Sequence, residues 1–267
     1  MSNKNLEQIL EKKQEAVKII YISSYIPRKC GIATYTKDLT NDINQLNPHA
    51  LIEIMALNKN GEELNYPWET KYKINQDELI SFLRAAEYIN QSSADIVCVQ
   101  HEFGLFGGKC GDYVIPFIES IKKPLVCTFH TVVQDADSDL GNILKRIVAR
   151  SNAVVVMMKE TKSRLVNDYK IESEKIVVIH HGTPDLPLVS TESFKKKKKL
   201  SGRMILGNIN LLSPVKGIEY ALQAVSVIAK EFPNVLYLVI GQTHPTVLKY
   251  DGEKYRNSLK KIVKKLT

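Results

Sequence analysis

Short apolar runs alternate with amphipathic helical patterns along almost the whole chain, and this alternation most restricts its fold. Residues 17–23, 51–57, 95–100, 124–130, 153–158 and 175–180 read as strands apolar on both faces. Helical patterns separate most of them. One covers 34–46 with Leu39, Ile43 and Leu46 on one face; another covers 77–90 with Leu79, Ile80, Leu83, Ala86 and Ile89 as its stripe. Further helices are expected at 111–121, 139–149 and 159–169. Strands buried on both faces and joined by helices imply an α/β fold, a parallel sheet covered on both sides. Right-handed crossovers then gather the carboxyl ends of the strands on one edge, where such sheets bind ligands.

The rhythm breaks at 181–200, which holds Gly182, Pro184 and Pro187 and then Lys195 to Lys199. Pro and Gly punctuate loops, and like charges repel into an extended form. The expected division is an N-terminal tail at 1–16, a first domain at 17–182, a basic linker at 183–202 and a second unit at 203–267. That unit reads as strand 203–209, helix 215–231, strand 235–240 and helix 252–266. Two strands and two helices bury too little surface to stand alone, so the second domain is expected to be incomplete. Residues 195–267 carry 15 Lys and Arg against 4 Asp and Glu, a balance of +11, whereas the remainder carries −3. This asymmetry fits an acidic partner such as phosphate, anionic lipid or nucleic acid, and it fits a solvated basic face.

Several classes are excluded as expectations. No apolar run approaches the ~20 residues of a membrane span, and Met1 to Glu15 lacks an apolar signal core. The cysteines Cys30, Cys98, Cys110 and Cys127 include no C-x-x-C pair, which argues against a zinc or dithiol site and suits the cytoplasm.

Five of the six histidines follow a strand-like run: His101, His130, His180, His181 and His244. Four segments at such ends could carry chemistry. The first strand leads into Pro27-Arg28-Lys29-Cys30-Gly31, the strand–loop–helix geometry that offers backbone N–H groups to a phosphate. It is not G-x-G-x-x-G, so a dinucleotide fingerprint fails. Gln100-His101-Glu102-Phe103-Gly104-Leu105-Phe106-Gly107-Gly108 mixes free glycines with apolar rings, as a loop closing on a ligand would. It is not H-E-x-x-H, and no metal is expected. His130 could exchange a proton or hydrogen-bond a hydroxyl. Finally, Ser213-Pro214-Val215-Lys216-Gly217 places Lys216 in the expected first turn of a helix, where a cation is unfavourable unless an anion fills the site.

Taken together, Pro-Arg-Lys-Cys-Gly-Ile-Ala-Thr-Tyr-Thr, Gln-His-Glu-Phe-Gly-Leu-Phe-Gly-Gly, Thr-Phe-His-Thr-Val, Ile-His-His-Gly-Thr-Pro and Leu-Leu-Ser-Pro-Val-Lys-Gly-Ile-Glu-Tyr resemble glycosyltransferase family 4, the group 1 transferases. The resemblance runs from about Val17 to the C-terminus. It implies a GT-B architecture of two Rossmann-like domains, the acceptor mainly on the first and the nucleotide-sugar on the second. It implies transfer to a saccharide or other hydroxyl acceptor with retention of configuration, without a metal or cofactor. By the same resemblance Gly31, Lys216 and Gly217 bind the donor phosphates, and His130 and Lys216 are catalytic. Arg28, His101, Glu102, Phe103 and Gly104 then line the acceptor side.

Two departures stand out. Asn210 occupies the position six residues before the lysine where many members carry arginine. The donor-binding Glu-x7-Glu motif is also missing, since the one pair with that spacing is Glu7 and Glu15 in the tail. The chain therefore resembles a truncated member. An alternative is a non-catalytic acceptor-binding module, or half of a two-chain transferase. Nucleic acid is not an expected partner. An anionic membrane surface is a further candidate partner, through helix 252–266 with Tyr255, Leu259, Ile262, Val263 and Leu266 on one face and four lysines on the rest.

Overall fold

The computed structural model describes residues 16–266. All but the last residue of the expected tail 1–16 lies outside them, and so does the Glu7/Glu15 pair. The chain forms two compact units, divided between Thr183 and Pro184.

The first unit is built on seven parallel strands: β1 (Lys18–Ser23), β2 (Leu51–Asn58), β3 (Thr70–Asn75), β4 (Ile96–His101), β5 (Leu125–Phe129), β6 (Ala153–Val156) and β7 (Ile176–Val178). Their order is β3-β2-β1-β4-β5-β6-β7, so the winding direction reverses between β1 and β4. The helices are α1 (Gly31–Leu46), α2 (Leu79–Gln91), α3 (Val114–Ser120), α4 (Asp139–Arg150) and α5 (Lys159–Asn167). Alternation along the strands builds two cores. Ile20, Ile22, Val97, Val99, Leu125 and Cys127 pack with Phe82, Phe117, Leu144 and Leu165 on one face. Tyr21, Tyr25, Ile54 and Ala56 pack with Leu39 and Ile43 of α1 on the other. A strand with apolar side chains at both parities has one explanation here: each face of the sheet is covered.

β3 was not expected, because Thr-Lys-Tyr-Lys-Ile-Asn looks like a polar surface segment. It is an edge strand paired only with β2, and lysines facing solvent suit an edge. No helix covers the β2–β3 crossover, which runs as a loop between Asn58 and Thr70.

The second unit corrects two expectations. The basic segment at 183–202 is not extended throughout, for it contains helix α6 (Thr191–Lys197). The Ser190 side chain accepts the Ser193 N–H, Glu192 lies in the first turn, and Lys195, Lys196 and Lys197 lie in the last. An N-cap and charges that oppose the helix dipole at both ends offset the repulsion between lysines. The strands β8 (Met204–Ile209) and β9 (Val235–Ile240) form a two-stranded parallel sheet. Helix α7 (Ile218–Glu231) begins later than expected because Gly217 adopts φ 58°, ψ 33° and separates it from a 3-10 turn at Pro214–Lys216. The short helix α8 (Pro245–Asp251), unforeseen, precedes α9 (Lys254–Leu266). The buried core of this unit centres on Leu212, Ile218 and Leu259. Ile209 and Ile240 remain 77% and 50% exposed, so the sheet is thinly covered.

Candidate functional site

The carboxyl edge of the first unit's sheet gathers the loop after β1, the loop after β4, and the residues just beyond β5 and β7. The reversal between β1 and β4 opens a crevice at such a switch point. After β1 the chain turns through residues 24–30 and enters α1 at Gly31. Arg28 pins this loop: its guanidinium donates to the Leu57 carbonyl at 2.6 Å and to Gln76 Oε1 at 3.0 Å. Expected on the acceptor side, Arg28 thus spends these donors fastening the loop to the ends of β2 and β3. No side chain caps α1 at Cys30, and no acidic residue lies in its first turn. Its first N–H groups carry the partial positive charge of the helix dipole into this edge. A Cβ on Gly31 would meet nothing within 4 Å. Neither crowding nor backbone conformation within the protein requires glycine there, which leaves room for close approach from outside.

His130 sits at the centre of this edge. Its Nε2 lies 2.9 Å from Gln100 Oε1, and its backbone N–H donates to the His101 carbonyl at 3.0 Å. With the amide oxygen as acceptor, Nε2 carries the proton and Nδ1 keeps a lone pair. Tyr35, one turn into α1, meets the His130 ring edge-on at 5.0 Å and the His181 ring at 5.1 Å. Burial, and then the nearby His181, pushes the His130 imidazole down to about 4, so the ring is neutral at physiological pH. Beside it, Thr131 donates to Glu102 Oε2 at 2.6 Å, while Glu102 Oε1 accepts the Phe103 N–H. Tyr35 and Thr131 were given no role by the sequence, and Gln100 stood there only as the start of the β4 loop. Gln100 was visible as a polar residue ending a buried strand, and Tyr35 as an aromatic in the first turns of a strand–loop–helix unit.

The β4 loop requires a correction. His101, expected to line the acceptor side, has no exposed surface at all. It is stacked on Phe106 at 5.5 Å and meets Phe103 and Phe129 edge-on. Both ring nitrogens lack a hydrogen-bond partner, and burial, with His130 adding to it, drives its pKa to about 3. A ring enclosed by three phenylalanines cannot touch a ligand; it belongs to the core. Phe103 is half-buried against it, whereas Gly104 is exposed. The glycines further on are packing residues: a Cβ on Gly107 would lie 2.1 Å from the Gln76 carbonyl oxygen.

The second unit carries the remaining candidates. Lys216 ends the 3-10 turn just ahead of α7 rather than lying within its first turn; its side chain is exposed. Gly217 takes the left-handed conformation that follows it. Asn210 donates to Asn208 Oδ1 at 2.7 Å. His244 is the N-cap of α8, its Nδ1 accepting the Thr246 N–H, so it serves the helix. In α9, Leu259 is buried, and Tyr255 packs on the core with its hydroxyl on Glu219. Part of that helix's apolar face is therefore occupied within its own unit. Among the described residues no three His, Cys, Asp or Glu side chains gather as a metal site, and no helix is long and apolar enough to cross a membrane.

Residues 31–185 match the family model of Glycosyltransferase Family 4. No curated protein matches the chain. Among solved structures it is similar to Alr3699/HepE of Anabaena, determined with UDP and glucose. The identity is 12% and the TM-score 0.64, over 94% of this chain and 66% of that one. It is similar also to an α,α-trehalose-phosphate synthase (UDP-forming) from Burkholderia vietnamiensis, with 11% identity and TM-score 0.60 over 95% and 69%. MnaA of S. aureus, determined with UDP, gives 14% and 0.52 over 91% and 67%. The chain thus spans just under two thirds of the first of these structures.

Proposed function

The chain belongs to glycosyltransferase family 4 and has a GT-B type of α/β fold, and from that premise we propose that it moves a sugar from a nucleotide-sugar to a saccharide or other hydroxyl acceptor, with retention of configuration. The observation that carries this reading is His130, neutral, held by Gln100 and packed on Tyr35 at the switch-point edge. A neutral imidazole with a free Nδ1 lone pair suits the hydroxyls of a transferred sugar better than a cation would, because the reacting carbon gains positive charge as its bond to the diphosphate breaks. The bonding pair leaves with the diphosphate. In the first unit the uncapped start of α1 beside Gly31 supplies positive potential for such a charge; in the second, Lys216 and Gly217 are the residues that the family resemblance assigns to the donor phosphates. Such groups accelerate the reaction because they gain more in the transition state than in the ground state. The acceptor hydroxyl then bonds to the sugar and passes its proton to the departing phosphate oxygen.

Calorimetric titration with UDP and with common UDP-sugars tests this. Saturable binding that Lys216→Ala weakens at least about tenfold, equivalent to ~1.4 kcal/mol, supports the assignment; unchanged affinity removes Lys216 from the site.

A second reading has its own support. The second unit's two-stranded sheet leaves Ile209 and Ile240 exposed, and its buried core is small. On this reading the first unit binds acceptor while donor binding and turnover need further polypeptide, from the same or a complementing chain. Failure of this chain alone to bind any donor would favour it; sugar release by this chain alone would exclude it. Attachment to an anionic membrane through the lysines of α6 and α9 is a separate proposal, refuted if the chain fails to float with anionic vesicles at low salt.

A further inference from the structure

A cavity of about 500 Å³ opens on the first unit where no crossover helix covers β2 and β3. It is bounded by Leu51, Ile52 and Glu53, at the opposite end of β2 from Asn58. Five residues of strand, about 17 Å, separate Glu53 from the carboxyl edge. The cavity also lies across α1 from the candidate active site. Tyr35 faces His130, whereas Lys37, Asn41 and Asn44 line the cavity.

Its wall includes Trp68, the chain's only tryptophan, 80% exposed. An indole left this open offers a flat aromatic surface to whatever enters the cavity. The Lys71 ammonium sits 5.2 Å from the Trp68 ring centroid. That contact orients the indole and occupies one of its faces.

The floor is polar and fully engaged. Glu69, 8% exposed, accepts from the Tyr25 hydroxyl at 2.9 Å and from Lys37 at 2.7 Å. The side-chain amides of Asn41 and Asn44, by contrast, make no hydrogen bond with the described residues. The charges of the lining cancel: Lys37 and Lys71 against Glu53 and Glu69.

We infer that this cavity binds a neutral oligosaccharide, at a site separate from the transfer centre. Each part matches that chemistry. The volume falls in the range of small-ligand pockets. The C–H bonds on the face of a pyranose carry slight positive charge and meet the negative face of an indole ring. Two unengaged amides on successive turns offer paired donors and acceptors to vicinal hydroxyls. A charge-balanced lining repels neither sign and selects neither. The inference deepens the proposed function by making the acceptor a saccharide chain of several residues, and in that respect rests on it. Saccharide binding itself does not.

Because Trp68 is the sole tryptophan, its emission reports on the cavity directly. The full chain is titrated with maltotriose, cellotriose, chitotriose and mannotriose, with and without UDP. The expected result is a saturable blue shift with at least one of them, unaffected by UDP. Calorimetry should then show affinity falling about tenfold or more in Trp68→Ala and in the Asn41→Ala/Asn44→Ala double variant, all exposed residues whose loss leaves the core intact. No saturable response to any trisaccharide overturns the inference. So does displacement by UDP, and so does a shift produced by phospholipid vesicles but by no sugar. Sugar binding without donor binding would sink the transferase reading and keep this site, whereas donor transfer with a silent Trp68 would do the reverse.

Discussion

His101→Leu should make the first unit less sensitive to acid. In the folded chain the imidazole is enclosed by Phe103, Phe106 and Phe129, its pKa lowered to about 3. In the unfolded chain it returns to the ordinary value near 6.5. The folded state therefore holds the neutral ring while the unfolded state takes up a proton as pH falls. Stability is fully present above pH ~6.5 and drains away towards pH ~3, at about 1.4 kcal/mol per pH unit. Between pH 7 and 4.5 the loss attributable to this one residue is on the order of 2.5 kcal/mol.

Leucine has a similar volume and no nitrogen to desolvate. The variant should lose that acid-sensitive contribution and, at neutral pH, shed the cost of two unsatisfied nitrogens, about 1–3 kcal/mol for a buried polar group left unpaired. The lost ring contacts work against this gain. Urea unfolding followed by far-ultraviolet circular dichroism, at pH 7 and pH 4.5, gives both quantities. The stability difference between variant and parent should widen by roughly 2.5 kcal/mol on acidification. A difference constant to within about 0.5 kcal/mol would refute the reasoning, for it would mean that His101 gains its proton without unfolding.

Two further outcomes follow from the same geometry. The His130 ring protons, followed by NMR, should titrate near pH 4 rather than 6.5, and UDP-sugar binding should stay flat from pH 8 to about 5 before changing; an inflection near 6.5 would show that burial does not control this ring. Gly31→Val should leave the unfolding midpoint nearly unchanged, since a Cβ there meets no protein atom, yet weaken UDP binding at least tenfold (~1.4 kcal/mol); equal loss of stability and binding would make Gly31 a structural glycine.

The sheet of the first unit was legible because strands apolar at both parities have few other ways to be buried. β3 was not, because an edge strand hides only one face and its lysines mimic a loop. α6 was missed for the opposite reason. Like charges at Lys195 to Lys199 suggest an extended run, whereas the Ser190 cap and the helix dipole offset their repulsion. Lys216 was expected in the first turn of a helix, but Gly217 in its left-handed conformation moves the helix start beyond it. That shift puts the ammonium in the approach to α7 rather than on its side.

The histidines show where sequence reading can go further. All five follow a strand, yet their surroundings differ because side-chain direction alternates along β-structure. Val97, Val99 and His101 share one parity and turn into the larger core, as do Leu125, Cys127 and Phe129 on β5. His101, the last residue of β4, is therefore drawn inward with its own strand. Cys98 and Gln100 have the other parity and face the side on which α1 packs, and His130, one step past Phe129, continues that parity on β5. The Gln100–His130–Tyr35 grouping is then what two adjacent strands and the helix over them must bring together. Parity counted from the apolar core to the end of each strand separates the buried histidine from the one at the edge by sequence alone.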